Sequence, residues 1–460
     1  MLGQSLVHDV LTAALSGGGD FAELFVEANQ KNNLSMVNGV VEHALSGMDY
    51  GAGIRIFYGT NAIYAYTNDT SRDNLIQVAK EAAQAAKGSG GASVLPFMRQ
   101  ARMNMHPVRI PFDKGDKKKA VEMLRVGSDA AFAYSGLISQ TQCSYSDISQ
   151  NIFVANSEGL WAEDQRNRIR LGITAVASSA SEKQTEGYHP GVSGGFEFLD
   201  TQDTKAMGRN AAEIAAKMLN ADLCPSGKMP VVIDGGFGGV IFHEACGHSL
   251  EATAIAKGAS VFCGKMGQII ANEKVTALDD GTIPGAWGSI NIDDEGAPGQ
   301  KNTLITNGVL TSYLVDKLNG LKMGMPSTGS GLRESYRYAP TSRMTNTYIA
   351  AGHDSIGDIL ASVDYGLYAK KMGGGSVQPS TGEFNFAVLE GYMIRNGKIA
   401  EPVRGATLIG KGSQVLMDID MVSEEVSHDQ GMCGSVSGSV PTNVGQPLLR
   451  VKSITVGGRR

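Results

Sequence analysis

Cysteine is scarce in this chain. There are five in 460 residues, at Cys143, Cys224, Cys246, Cys263 and Cys433, and no two form a C-x-x-C pair. An odd count in a chain whose opening carries no secretory signal argues for a reducing compartment. Charge of one sign is also missing: 40 basic residues against 46 acidic ones give a net charge of -6. Lys and Arg are scattered, and the single basic run, KGDKKK at 114–119, reads as the solvated start of a helix, so nucleic acid is not an expected partner. No apolar run approaches the roughly 20 residues that span a bilayer. The opening MLGQSLVHDVLTAALSGGGD has neither a basic leader nor a cleavable apolar block, so the expected location is cytoplasmic.

What is present is ordinary globular composition, 42% hydrophobic and 19% charged, with enough chain for two or three domains. Leu6, Val7, Val10, Leu11, Ala14 and Leu15 mark an amphipathic first helix. ELFVEAN, SMVNGVVEHAL, GAGIRIFYG and NAIYAYT then read as strands, and 73–87 as a second helix with Ala86 on its apolar side. After a Ser/Gly/Pro connector come a helix at 114–134, the strands GLISQTQCSYS, NIFVANSEG and RIRLGITAVASS, a surface loop GYHPGVSGG at 187–195, and a helix at 203–220. Beyond 225 the texture turns glycine-rich and strand-rich (MPVVIDGG, GSINIDDEG, TNGVLTSYLVDK, FNFAVLEGYMIRNGKI, PLLRVKSITVGG), with one more helix near 355–363. The expected fold class is α+β: an N-terminal α/β region of mixed strands and helices, then a strand-rich C-terminal domain wrapped round one central helix. The expected domains are 1–105, 106–222 and 223–460.

That helix lies in DGGFGGVIFHEACGHSLE, from Asp234 to Glu251. Val240, Ile241, Phe242, Ala245, Cys246 and Leu250 favour burial, yet the same segment carries His243-Glu244-x-x-x-His248. Zinc peptidases use H-E-x-x-H, in which a spacing of four puts both imidazoles on one helical face. Here the spacing is five, which swings the second ring roughly 140° round a regular helix. A π-bulge absorbs the extra residue, and Gly247 is the expected weak point, at a cost of about 1 kcal/mol against alanine. Without a metal, the segment is a buried helix with two hydrogen-bonded histidines.

A third ligand has to come from elsewhere. Cys433, in DQGMCGSVSG, is favoured because flanking glycines let the backbone approach and a metal readily deprotonates a thiol; otherwise it is a small buried hydrophobe. His428 and Asp429 compete with it unless they lie on a surface loop. Glu251 is either an anchor for an imidazole or, more simply, a solvated helix glutamate. Cys246 and Cys263 read as small hydrophobes, and His189 and His353 as exposed turn residues. Gly405 to Lys411 imitates a P-loop, but Gly412 replaces the required hydroxyl residue and Thr-Leu-Ile reads as strand.

HEACGHSLEA, GLRESYRYAPTSRMTNTYI at 331–349, GGGSVQPSTGEFNF at 373–386, PVRGATLIGKG at 402–412 and the C-terminal MCG...VGQPLLRVKSITVGG together resemble the TldD/PmbA family of metallopeptidases, once called modulators of DNA gyrase. The likeness is strong from about 225 onward and looser before. Having the histidine motif and the late cysteine, the chain is similar to the TldD-type subunit; the PmbA-type (TldE) partner lacks the metal motif. The resemblance implies one Zn2+ per chain held by His243, His248 and Cys433, with Glu244 as the catalytic glutamate. Arg333, Tyr336 and Tyr338 become substrate or oxyanion contacts by the likeness of their surroundings. SVSGSVPTN, after the cysteine, departs from the family pattern.

The function implied is a zinc-dependent metallopeptidase that hydrolyses unfolded or extended peptides, with Glu244 as general base activating a metal-bound water. The resemblance also implies a site enclosed between two subunits, in a homodimer or in a heterodimer with a metal-free PmbA/TldE-type paralogue. Segment 373–386 is the expected sheet edge for an added peptide strand. The alternative is a non-catalytic regulatory or partner-binding subunit that keeps a structural metal site.

Overall fold

The computed structural model describes residues 2–85, 88–100, 104–378 and 381–458, and its class is α+β. Helices form where apolar residues recur at helical spacing and a cap is available. Gln4–Leu15 buries Val7, Val10, Leu11, Ala14 and Leu15. Lys117–Tyr134 starts at Asp116, whose carboxylate accepts from the Lys118 amide, and Thr204–Leu219 starts at Asp203, which accepts from the Ala206 amide. The second helix is Arg72–Gln84; Ala86, expected in it, lies outside the described residues.

These helices pack on an antiparallel sheet ordered Asn61–Thr67, Val40–Tyr58, Phe21–Val37, Ile138–Asn156, Leu160–Ser178. Its seam is Phe21–Val37 against Ile138–Asn156, in register from Glu23 opposite Asn156 to Val37 opposite Gln142. Strands from before and after the Ser/Gly/Pro connector therefore share one sheet. SMVNGVVEHAL is not one strand. Asn38 and Gly39 take φ of 51° and 77°, the left-handed pair that closes a two-residue hairpin, so the segment folds back on itself. GYHPGVSGG is not a free loop either, because Lys183–Tyr188 and Gly191–Ser193 both pair with Leu160–Ser178.

The C-terminal half is strand-rich as expected. Gly227–Ile233, Leu449–Gly457, Thr407–Lys411, Glu383–Arg395 and Tyr365–Gln378 pair in turn, and the last returns to the first, closing a barrel. A second sheet runs Val309–Leu310, Lys301–Thr306, Ala277–Asp280, Asn346–Ile349, Gly438–Gln446, Ser427–Ser435. Between them lies the central helix: Ile241, Phe242, Ala245 and Cys246 pack among Ile233, Ile349, Leu416 and Leu449. Two expectations fail here. GSINIDDEG is an irregular buried loop rather than a strand, its Asp293 carboxylate accepting from the amides of Glu295, Ala297 and Gly331. TNGVLTSYLVDK yields only the short strand Val309–Leu310, and the helix Lys317–Met323 that begins at its last residue has no apolar period to announce it.

The halves meet across buried charge. Arg55 reaches Glu23 and Glu295 at 2.7 Å each, Arg333 reaches Glu23 at 2.9 Å, and Arg166 reaches Asp294 at 2.8 Å. Pairs this buried fix geometry more than they add stability, because desolvation consumes most of the Coulomb gain.

Candidate metal centre

The central helix widens where the spacing demands it. Val240–Phe242 is α-helical, His243–Gly247 is one π turn, and the His248 amide donates to the His243 carbonyl five residues back. The extra residue is absorbed inside that turn, which restores both imidazoles to one side. Gly247 contributes through space rather than conformational freedom. Its backbone is ordinary right-handed helix at φ -54° and ψ -53°, but an added Cβ would stand 2.3 Å from the Met344 sulfur.

The rings face one sulfur. Cys433 Sγ lies 3.3 Å from Nε2 of His243 and 3.3 Å from Nε2 of His248, and the three donor atoms are mutually within 4.8 Å. Strand order brings the distant cysteine here. Cys433 sits on Ser427–Ser435, paired with Gly438–Gln446, which runs parallel to Asn346–Ile349 beside the helix. Each imidazole is held by its other nitrogen. Nδ1 of His243 pairs with the Thr347 hydroxyl at 2.8 Å, and that hydroxyl donates to the Asn443 carbonyl at 3.5 Å, which leaves its oxygen to accept from the imidazole. Nδ1 of His248 donates to Glu251 at 3.2 Å. Arg343, fully buried, donates to the Cys433 carbonyl and stands 3.9 Å from the Glu251 carboxylate. Glu244 is the open member: its side chain is 29% exposed, with Oε2 3.7 Å from Nε2 of His248.

Electrostatics agree with this geometry. Burial works against charge on the Cys433 thiol, but the facing His243 and His248 hold it well below the ordinary thiol range. Burial likewise opposes protonation of His248, and Glu251 and the thiolate together push its pKa well above the usual imidazole value. Two imidazoles, each braced from behind, and a thiolate, with donor atoms within 4.8 Å of one another and the Glu244 carboxylate alongside, are a donor set that would hold zinc.

The other sequence candidates go elsewhere. Asp429 accepts from the Phe237 amide and His428 packs edge-on against Tyr348. Arg333 is committed to Glu23, Tyr64 and the Asp294 carbonyl; Tyr336 gives its amide to Glu27 and its hydroxyl to Asp49; Tyr338 gives its amide to the Ser335 carbonyl. None of the three is hydrogen-bonded to the cluster. Glu251, more simply a solvated glutamate in the sequence, is buried and holds His248. Thr347 and Arg343 were missed. Both lie in GLRESYRYAPTSRMTNTYI, and the only available signal was that a ligating imidazole needs an acceptor behind it.

Three family models match the chain: PmbA/TldA metallopeptidase domain 1 at residues 22–86, the central domain at 110–219 and the C-terminal domain at 226–458. A metalloprotease TldD homolog of Haemophilus influenzae is 36% identical over 455 residues, covering 95% of this chain and 93% of that protein. Among solved structures, a protein described as a modulator of DNA gyrase from Thermotoga maritima superposes with a TM-score of 0.81 at 20% identity, covering 99% of this chain and 100% of the other. TldE from Thermococcus kodakarensis gives 0.78 at 18% identity, covering 98% and 100%. At those identities the structures speak to fold alone.

Proposed function

The chain belongs to the PmbA/TldD metallopeptidase family, and from that premise we propose that it is a zinc-dependent peptidase acting on unfolded or extended peptides. The observation that carries the proposal is the convergence of His243, His248 and Cys433 beside a partly exposed Glu244. Those three residues are the proposed ligands of one Zn2+. When bound, zinc supplies Lewis acidity toward a peptide carbonyl and makes water acidic enough to ionise near neutral pH.

The chain's own residues do the rest. Glu244 takes a proton from the attacking water and returns it to the departing amine, so one carboxylate serves as base and then as acid. Thr347 and Glu251 fix the ring tautomers, leaving each Nε2 free to ligate. Arg343 donates to the Cys433 carbonyl and stands 3.9 Å from the Glu251 carboxylate, so one buried cation lies between the strand and helix sides of the site.

Extended substrate has a place to lie. The strand Tyr365–Gln378 pairs with Val231–Ile233 only across Leu367–Ala369, so over residues 370–377 one of its edges has no strand partner among the described residues. That edge borders a cleft of about 810 Å³ whose far wall includes Asp429 and Gln430, on the strand that bears Cys433. Main-chain pairing along such an edge selects for extended peptide with little regard to side chain. Assembly with a metal-free TldE-type paralogue, or as a homodimer, and a cytoplasmic location belong to the same proposal. So do substrate contacts from Arg333, Tyr336 and Tyr338, which in this conformation would first have to leave their present partners.

Glu244→Gln tests the reading. Elemental analysis should find the metal retained at wild-type stoichiometry, with cleavage of an unfolded peptide lost by about a hundredfold or more. A variant that cleaves normally removes Glu244 from the mechanism. Zinc-loaded wild-type protein that cuts no unfolded peptide, alone or with a TldE-type partner, supports a structural metal site instead.

A further inference from the structure

The strand Leu160–Ser178 carries Arg166, Arg168 and Arg170 at alternate positions, which places all three on one face. They line a cavity of about 350 Å³ between that strand and the C-terminal half. Its acidic lining groups are already engaged: Asp294 with Arg166 and the Arg333 amide, Asp147 with Lys117, Tyr145 and Asn32, and Glu334 with the Ser439 amide. The cationic side is different. Arg166 is neutralised by Asp294 and also donates to the Ile292 carbonyl. Arg168, 5% exposed, makes one hydrogen bond, from Nε to the Trp287 carbonyl at 2.9 Å, and no carboxylate lies within ion-pair reach of it among the described residues. Arg170 has only a long contact, 3.4 Å, with the His189 carbonyl.

A buried guanidinium without a counter-charge is costly to keep. Burial and the adjacent Arg166 push the pKa of Arg168 down to about 9, and burial lowers that of Arg170. A guanidinium stays protonated at neutral pH all the same, so the shift measures an electrostatic debt that an anion in the cavity would cancel. The cavity approaches the proposed metal centre along the cysteine strand, although none of His243, Glu244, His248 and Cys433 lines it. Met432, which precedes Cys433, and Val440, which faces Cys433 across the hairpin, both line it. Trp287, also in its wall, donates from Nε1 to the Gly431 carbonyl of the same strand.

We propose that this cavity is an anion subsite in which Arg168 and Arg170 receive a carboxylate of a peptide held at the metal centre, either its free C-terminus or an acidic side chain. The proposal rests on the peptidase reading for its ligand, but the guanidinium cavity stands on its own geometry. A guanidinium accepts a carboxylate through two parallel N–H···O bonds, and Arg168 has both terminal nitrogens uncommitted.

The test is calorimetric titration of zinc-loaded Glu244→Gln protein with one short unstructured peptide in three forms: free acid, C-terminal amide, and amide with one internal glutamate. Expected is binding roughly tenfold tighter for a carboxylate-bearing form than for the neutral amide, given the strength of charge-assisted hydrogen bonds. Preference for the free acid identifies the terminus as source, and preference for the glutamate form identifies a side chain. Arg168→Gln in the same background should abolish the preference and Arg168→Lys should keep part of it. Equal affinity for all three forms, no binding of any, or a preference unchanged in Arg168→Gln overturns the proposal. The three-peptide comparison decides even if Arg168→Gln does not fold. Failure of the peptidase reading shows separately, as wild-type protein that cuts none of the peptides while the carboxylate preference persists.

Discussion

Glu251 grips His248 at Nδ1 from three residues further along the chain, 3.2 Å away, and so turns Nε2 of the same ring toward the Cys433 sulfur. Thr347 does the equivalent for His243. Removing either acceptor leaves the ring free to change tautomer without touching a ligand atom. Glu251→Leu and Thr347→Val should therefore each weaken zinc binding by about 10- to 100-fold, measured by competition with a chelator. Wild-type affinity in both variants would mean that the imidazoles are held by the helix alone.

The π turn depends on a missing methyl group. Gly247→Ala drives a Cβ to 2.3 Å from the Met344 sulfur, and overpacking of that kind costs about 1–3 kcal/mol, readable as a lower urea midpoint with loss of zinc. Met344→Ala in the same chain makes room and should recover zinc binding, while its own core cavity keeps the urea midpoint low. If the double variant binds zinc as poorly as Gly247→Ala, the close contact is not why glycine stands there.

Local chemistry told most of what lies close in sequence. The five-residue spacing of His243 and His248 could serve one ion only through a widened turn, and the turn is there. Apolar periods located the long helices, and capping aspartates explain their starts. What stayed hidden depends on partners from tens of residues to nearly two hundred residues away. Glu251 reads as a solvated glutamate until Arg343 and the cysteine strand close over it. GSINIDDEG alternates like a strand, but its carboxylates take up amides from Gly331 and Arg333 and hold it as a loop. RIRLGITAVASS reads as an alternating strand, and only the fold shows that its Arg168 is buried.

Of the buried cysteines, only Cys433 should be a thiolate near neutral pH in metal-free protein. Burial pushes Cys143 up to about 12 and Cys224 to about 11, and raises Cys246 further, whereas Cys433 is held well below the ordinary range by the imidazoles. Its stabilising contribution is complete above the unfolded thiol value of about 8.5 and is lost as pH falls through the depressed folded value. His248, raised, contributes fully below about 6.5 and loses its share as pH rises through its folded value. The two describe one ion pair, so metal-free protein should be most stable between those limits and should show thiolate ultraviolet absorbance there. Cys433→Ser should abolish that absorbance; its persistence would place the thiolate elsewhere.

The joint between the halves makes the last prediction. Arg55, 1% exposed, is the only cation within ion-pair reach of Glu295 among the described residues and shares Glu23 with Arg333. Arg55→Met fills much the same volume but strands a buried carboxylate on Glu295 and leaves Glu23 with one partner. Breaking a buried pair from one side costs about 3–5 kcal/mol, so urea unfolding at neutral pH should show a loss of that order. Two further measurements separate charge from packing. Glu295→Gln added to Arg55→Met removes the stranded charge and should restore part of the loss. Lowering the pH should also narrow the gap, because burial and the neighbouring Asp316 and Glu23 already raise the Glu295 pKa against the pull of Arg55. A group raised in the folded state stabilises while protonated and loses that stability as pH climbs through its folded value. Without Arg55 that value rises further, so the variant should approach wild type toward about pH 4. A deficit that is constant with pH and unmoved by Glu295→Gln would assign the loss to packing over the Phe57 ring, which Arg55 also covers at 4.9 Å.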